Sequence, residues 1–256
     1  MYLQIADELQ PSGYDSLEPT YPCRAAEDIS SAQHGSPAWQ AHLAATTALF
    51  SALDAITGVP PSDPGFHASI DHYHDNLSAR QCHGKPLPCN AANTSACVTQ
   101  ALADAVYRLG HWEYAFRHRA SPTSLAAAVG SFGVWLAELA AHFRARVARS
   151  SPVVFRHSVA HDGSIARLLA LLQADAMVWP GMGAELVFEL YQNPSSSSAD
   201  AYFVRVLFGG RVLRSDSPLL RSLDLTPLRA VLAYVDGLVG PAAGLLPGKC
   251  NGSIPF

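Results

Sequence analysis

One short block, His161-Asp162-Gly163-Ser164, holds residue types suited to an oxyanion site. Before it, Val153 to Ala160 (VVFRHSVA) is short and rich in β-branched and aromatic residues, which predicts a strand. After it, Ile165 to Ala174 is predicted as a helix that Asp162 or Ser164 would cap. A strand that runs into a helix N-terminus presents free backbone N–H groups and the positive end of a dipole, an arrangement that favours phosphate. There His161 would hydrogen-bond the anion, Gly163 and Ser164 would line it, and Asp162 would act as a proton donor. The plainer assignment makes Asp162 a helix cap and His161 a surface turn residue.

A second cluster, His67-x3-Asp71-His72-x-His74-Asp75, is dense in metal-ligand types, with His67 and Asp71 one helical turn apart. It raises a metal-dependent hydrolase as an alternative, against a polar helix face or hydrogen-bonded histidines. Gly181-x-Gly183 lacks a third glycine and precedes a strand, and neither G-x-S-x-G nor a P-loop occurs, so no nucleotide or other cofactor is expected. The five cysteines (Cys23, Cys82, Cys89, Cys97, Cys250) contain no C-x-x-C pair. Two disulfides with one cysteine left over, and N-x-[ST] sequons at Asn76, Asn93 and Asn251, suit an extracellular glycoprotein. The opening MYLQIADELQ has none of the features of a signal peptide, so the compartment stays undecided.

The elements that position these residues fall into two parts. The 256 residues are 49% apolar and 15% charged, which excludes global disorder. A net charge of −4 carries no basic excess for a nucleic-acid partner. Residues up to about Ser36 are punctuated by Pro and Gly and read as irregular. Helices are predicted over Trp39 to Ile56, His67 to Ala79, Val98 to Arg117 and Ser124 to Arg149, with a loop from Cys82 to Cys89. The aromatics Trp112, Tyr114, Phe132 and Trp135 are most simply core. Leu125 to Ala137, the longest uncharged apolar stretch, is too short to span a bilayer, and no membrane partner is expected. Strands follow at Ala184 to Tyr191 and at Tyr202 to Phe208, the latter turning through Gly209-Gly210 into Arg211 to Leu213. A last helix covers about Pro227 to Val239. Residues 1–150 thus form a mostly helical cap and 151–256 an α/β part.

The segment Phe155 to Ile165 (FRHSVAHDGSI) resembles the C-terminal H-D block of the histidine acid phosphatases, clade 2 of the histidine phosphatase superfamily. Trp179 to Leu190 is similar to the sheet strand after that block. Asp15 to Cys23 and Cys82 to Cys89 resemble the fungal acid-phosphatase-like branch. The resemblance covers the C-terminal portion of that family's length. It implies an α/β fold, a histidine-phosphatase-like sheet with flanking helices and a large helical cap, in a secreted enzyme. It also implies two-step hydrolysis of a small phosphorylated substrate: a histidine of an R-H-G-x-R-x-P motif attacks phosphorus, and the H-D aspartate protonates the leaving group. His161 matches the phosphate-contacting histidine and Asp162 the acid.

The sequence departs from that pattern at one point: no R-H-G-x-R-x-P occurs in it. Gln33-His34-Gly35 and Cys82-His83-Gly84-Lys85-Pro86-Leu87-Pro88 each lack both arginines. His157 shares the predicted strand face with His161, but at ~3.3 Å per residue it stands roughly 13 Å away. Two expectations follow. Either the chain is a non-catalytic pseudophosphatase or phosphate-binding module, or one lost upstream segment accounts for both the missing nucleophile strand and the missing signal. Without a partner strand, 153–160 would be an exposed edge prone to self-association.

Overall fold

The computed structural model describes residues 16–18, 21–195, 198 and 201–251. The opening decapeptide, Asp15, Pro19 and Thr20 of the N-terminal resemblance, and the residues that complete the sequon at Asn251 lie outside them. Asn76 and Asn93 are exposed.

Helices dominate the first part, as the periodicity predicts. α1 (Arg24–His34) is followed by α2 (Pro37–Thr57), α3 (Pro64–His67), α4 (Asp71–Cys82), α5 (Gln100–Ala115) and α6 (Ser124–Val147). Ser36 caps α2 by accepting from the Trp39 amide, ahead of Pro37 at the first helical position. A single π-helical turn, Phe116–Ala120, extends α5. The stretch predicted as one helix from His67 is broken between α3 and α4, because Asp63 caps a separate short turn. α1 is a correction, since its segment reads as irregular. The helix is polar, with Arg24, Glu27, Asp28 and Gln33 among its eleven residues, and is held from outside by the Cys23–Cys250 disulfide across 227 residues and by packing on α6.

α6 is the axis of the molecule. It packs against α1, α7 (Asp162–Leu171), α8 (Leu228–Val239) and α9 (Leu246–Asn251), burying Phe132, Leu136, Ala140 and Phe143. By length and apolar composition its 24 residues could cross a membrane; here the helix is the centre of a core. That core is continuous from Phe50 to Leu246 and draws on both sides of residue 150.

The sheet is small and antiparallel. β1 (Leu186–Gln192) pairs with β2 (Tyr202–Phe208) in the register Leu190↔Val204. β2 turns through Gly209 and Gly210 (φ 54° and 73°) into β3 (Arg211–Val212), the hairpin the Gly-Gly pair predicts. β4 (Thr226–Pro227) lies on β2 and leads into α8. Val204 and Val206 point into the core, fully buried. This is the mixed α/β architecture expected, a modest sheet with many helices around it.

The strand predicted at Val153 to Ala160 is absent. A strand exists only as a hydrogen-bonded pair, and no described segment pairs with this one. Val154, Phe155 and Val159 are 69%, 73% and 81% exposed. The Val153 amide donates to the Ser151 hydroxyl instead of to a neighbouring chain.

Candidate active site

Asp162 opens α7, which therefore begins three residues earlier than predicted. The N-cap is His161, so Asp162 is the first helical residue and not the cap the sequence suggests. Oδ1 accepts from the Gly163 amide at 2.7 Å. Oδ2 accepts from the Tyr114 hydroxyl at 2.8 Å and from the Trp179 indole N–H. One donor comes from the end of α5, 48 residues upstream, and the other from the loop before β1, 17 residues downstream. Three elements meet at one carboxylate.

The indole that makes this contact is itself clamped. Trp179 lies between the His74 ring, stacked at 3.8 Å and 6°, and the Tyr114 ring, stacked at 4.0 Å and 23°. Its backbone amide donates to Nδ1 of His111 at 3.2 Å. Gly110 makes the approach possible: a Cβ there would come within 2.6 Å of His74 and 2.7 Å of Trp179. Burial and the Asp162 carboxylate push the Tyr114 phenol well above its ordinary range, so the hydroxyl stays a donor. Burial, with Asp162 and Asp71 adding to it, also raises Asp75.

His161 stands on the outer side of the turn. Its side chain is 68% exposed, with Nε2 3.4 Å from Glu18. Ser164 is buried and donates to the Leu17 carbonyl at 2.5 Å, so its hydroxyl serves the fold. Here the expected cradle needs correcting. The Gly163 amide is taken by Asp162, and the Ser164 and Ile165 amides both reach the His161 carbonyl, at 3.1 and 3.3 Å. The turn fills its own N–H groups, so Gly163 and Ser164 present no open amide nest, and any anion here meets side chains instead.

The other candidates disperse. His67 is held by the Asp54 carboxylate, 3.0 and 3.1 Å from Nε2, and by the Asp63 carbonyl. Asp71 accepts from the His72 amide, and His74 stacks on Trp179. Among the described residues no group of three or more His, Cys, Asp or Glu side chains could hold a metal, so the 67–75 cluster is a spacing coincidence on diverging faces. His34 packs on Trp39, and His83 is the exposed cap at the end of α4; neither is among the side chains that hold Asp162. Cys89–Cys97 closes the second disulfide and leaves Cys82 free, the count expected. Tyr114 is buried in the core, as its spacing predicts, but its hydroxyl also serves the site. Nothing local announces that this hydroxyl reaches the H-D turn.

The buried histidine gives a pH prediction. Burial, then His111, lowers His74 from 6.5 to about 4, against a smaller opposing pull from Asp162. The unfolded chain therefore takes up this proton more readily than the fold. Stability is fully present above pH 6.5 and is lost as pH falls towards 4, by up to roughly 3 kcal/mol from this group. His118, lowered to about 3 chiefly by burial, acts in the same direction. Urea midpoints are expected to drop between pH 7 and pH 4.5, and less so in His74→Asn; superimposable pH profiles would rule out this origin.

Residues 101–209 match the histidine phosphatase superfamily (branch 2). The chain is also similar to the protein named 2-phosphoxylose phosphatase 1 of Danio rerio, with 31% identity over 187 residues. That alignment takes in 63% of this chain and 37% of the zebrafish protein, so the chain spans little more than a third of its relative's length. The region of superfamily match contains Asp162 together with Tyr114 and Trp179, the two side chains that hold it.

Proposed function

We propose that this turn is the acid side of a phosphomonoester hydrolase site, with Asp162 as proton donor and His161 as a phosphate contact. The observation that carries the reading is the double clamp on Asp162. At the first position of the helix a carboxylate needs no more than a local amide, and Oδ1 has one in Gly163. The second oxygen is fixed by two aromatic donors from distant elements, which that position does not require. A carboxyl group held in one orientation is what proton delivery to a leaving oxygen needs. In the reaction the ester P–O bond breaks, the Asp162 proton passes to the departing oxygen, and the phosphoryl group passes to a nucleophile. The exposed His161 ring, 3.4 Å from Glu18, can turn towards a phosphate oxygen at little cost.

The 256 residues contain no R-H-G-x-R-x-P, and that favours a second reading for the chain taken by itself. Its own groups supply the acid and the anion contact but no attacking imidazole. Losing a nucleophile costs on the order of 10⁶ in rate. On this reading the isolated chain binds phosphate without turnover. A phosphorylated sugar is the first substrate to try, given the name of the zebrafish relative. The test combines calorimetry with vanadate and inorganic phosphate with turnover of p-nitrophenyl phosphate at acid pH. Binding is expected in the wild type and should weaken in His161→Ala. An absence of heat with either anion, or turnover unchanged in both His161→Ala and Asp162→Asn, would remove this turn from consideration.

A further inference from the structure

Beside the Asp162 turn a cavity of about 210 Å³ opens between α1, α6, the π turn after α5 and α7. Its polar lining includes Tyr21, Gln33, Arg117, His118, Ser131 and Arg167, with Glu27 on its exposed rim. The arginines of neighbouring elements are paired: Arg119 with Asp216, Arg144 with Asp236 and Arg205 with Glu189. Arg117 and Arg167 differ. Among the described residues no carboxylate comes within ion-pair distance of either guanidinium, Glu18 and Glu27 included, although both arginines are half-buried. Burial lowers Arg167 against the pull of Glu18, with a smaller push from Arg117, and burial, then the two arginines, lowers His118. Two guanidinium groups face one cavity, and Glu18 and Asp162 act on Arg167 without a direct ion pair; an anion held between the two would complete the site, because charge-assisted bonds to guanidinium are the strong ones. Arg167 links the cavity to the turn. The Arg167 guanidinium packs against Gly163, 3.4 Å from where a Cβ would stand, so its charge lies next to Asp162.

We propose that this cavity is an oxyanion subsite, with Arg117 and Arg167 as its donors. It takes a second acidic group, a carboxylate or sulfate, of a substrate whose phosphate lies at the Asp162 turn. The subsite itself stands on the cavity and its arginines; its assignment to a substrate rests on the phosphatase reading above. The preferred ligand is then a phosphomonoester carrying a further negative charge, not a neutral phosphorylated alcohol.

The experiment uses the full chain and isothermal calorimetry with three probes: inorganic sulfate, phenyl phosphate and 4-carboxyphenyl phosphate. Sulfate is expected to bind, and Arg117→Gln or Arg167→Gln should weaken it about tenfold, the worth of a charge-assisted hydrogen bond. Arg117→Lys should restore most of the loss, which separates lost charge from lost folding. In the wild type 4-carboxyphenyl phosphate should bind about tenfold tighter than phenyl phosphate, and in Arg117→Gln that ratio should fall to about one. Sulfate binding indifferent to both glutamine variants overturns the subsite. A ratio near one in the wild type overturns its assignment to substrate. Arginine-dependent sulfate binding with no phenyl phosphate binding sinks the phosphatase reading and leaves the cavity as a site for a free anion.

Discussion

Trp179→Ala is expected to destabilise the fold by about 3–5 kcal/mol, read as a drop in the urea midpoint at pH 7. The indole is only 6% exposed and fills the space between two rings and Gly110. Truncation to a methyl group empties that space, and the imidazole and phenol beside it cannot both collapse into it. It also removes one of the donors on Asp162 and leaves Tyr114 alone on that oxygen. Trp179→Phe separates the two effects. It keeps much of the stacked area but has no N–H, so its cost should be nearer 1–2 kcal/mol. If Phe costs as much as Ala, the hydrogen bond to Asp162 and not the packing dominates. If neither variant shifts the midpoint by 1 kcal/mol, the clamp is not a structural centre. The experiment matters for function because the same ring fixes the carboxylate and anchors the loop leading into β1.

What the sequence discloses and what it hides divide along the range of the interactions. The Gly209-Gly210 hairpin is legible because two residues at positive φ are a local need. The long helices are legible because an apolar stripe repeats every turn. α1 is not, because its polar sequence becomes helical through a disulfide 227 residues long and the face of α6. The segment 153–160 shows the opposite failure. Its β propensity is real, yet a ladder needs a second chain segment alongside, and pairing is never encoded in one strand's own composition. At the site the same rule holds. Asp162 stands out in the sequence because it sits in a block with His161. Tyr114 and Trp179 do not, because an aromatic residue chosen for its hydroxyl or its N–H looks like one chosen for its bulk. The cationic cavity is hidden for a further reason: Arg117 and Arg167 are fifty positions apart, and only the packing of α7 against the π turn brings them to one space.

The second large effect concerns Asp162→Asn, and it depends on the leaving group. An acid that protonates the departing oxygen contributes about 10²–10⁴ in rate when that oxygen is a poor leaving group. A sugar alkoxide is such a group, whereas p-nitrophenolate departs without a proton. Asn at 162 should therefore cost two or more orders of magnitude on a sugar phosphate and far less on p-nitrophenyl phosphate. The amide can keep its oxygen towards Tyr114 and Trp179 only by turning its NH2 group onto the Gly163 N–H, so a drop of about 1 kcal/mol in stability should accompany a much larger loss in kcat. A second measurement does not need turnover. Replacing a carboxylate by a neutral amide removes repulsion towards a bound phosphate dianion, on the order of 1 kcal/mol for unit charges about 4 Å apart in water-like surroundings. Inorganic phosphate should then bind several-fold tighter to Asp162→Asn than to the wild type. Equal losses on both esters would mean that Asp162 shapes the site without delivering a proton. Unchanged phosphate affinity would mean that the anion does not lie beside this carboxylate at all, and the acid role would fall with it.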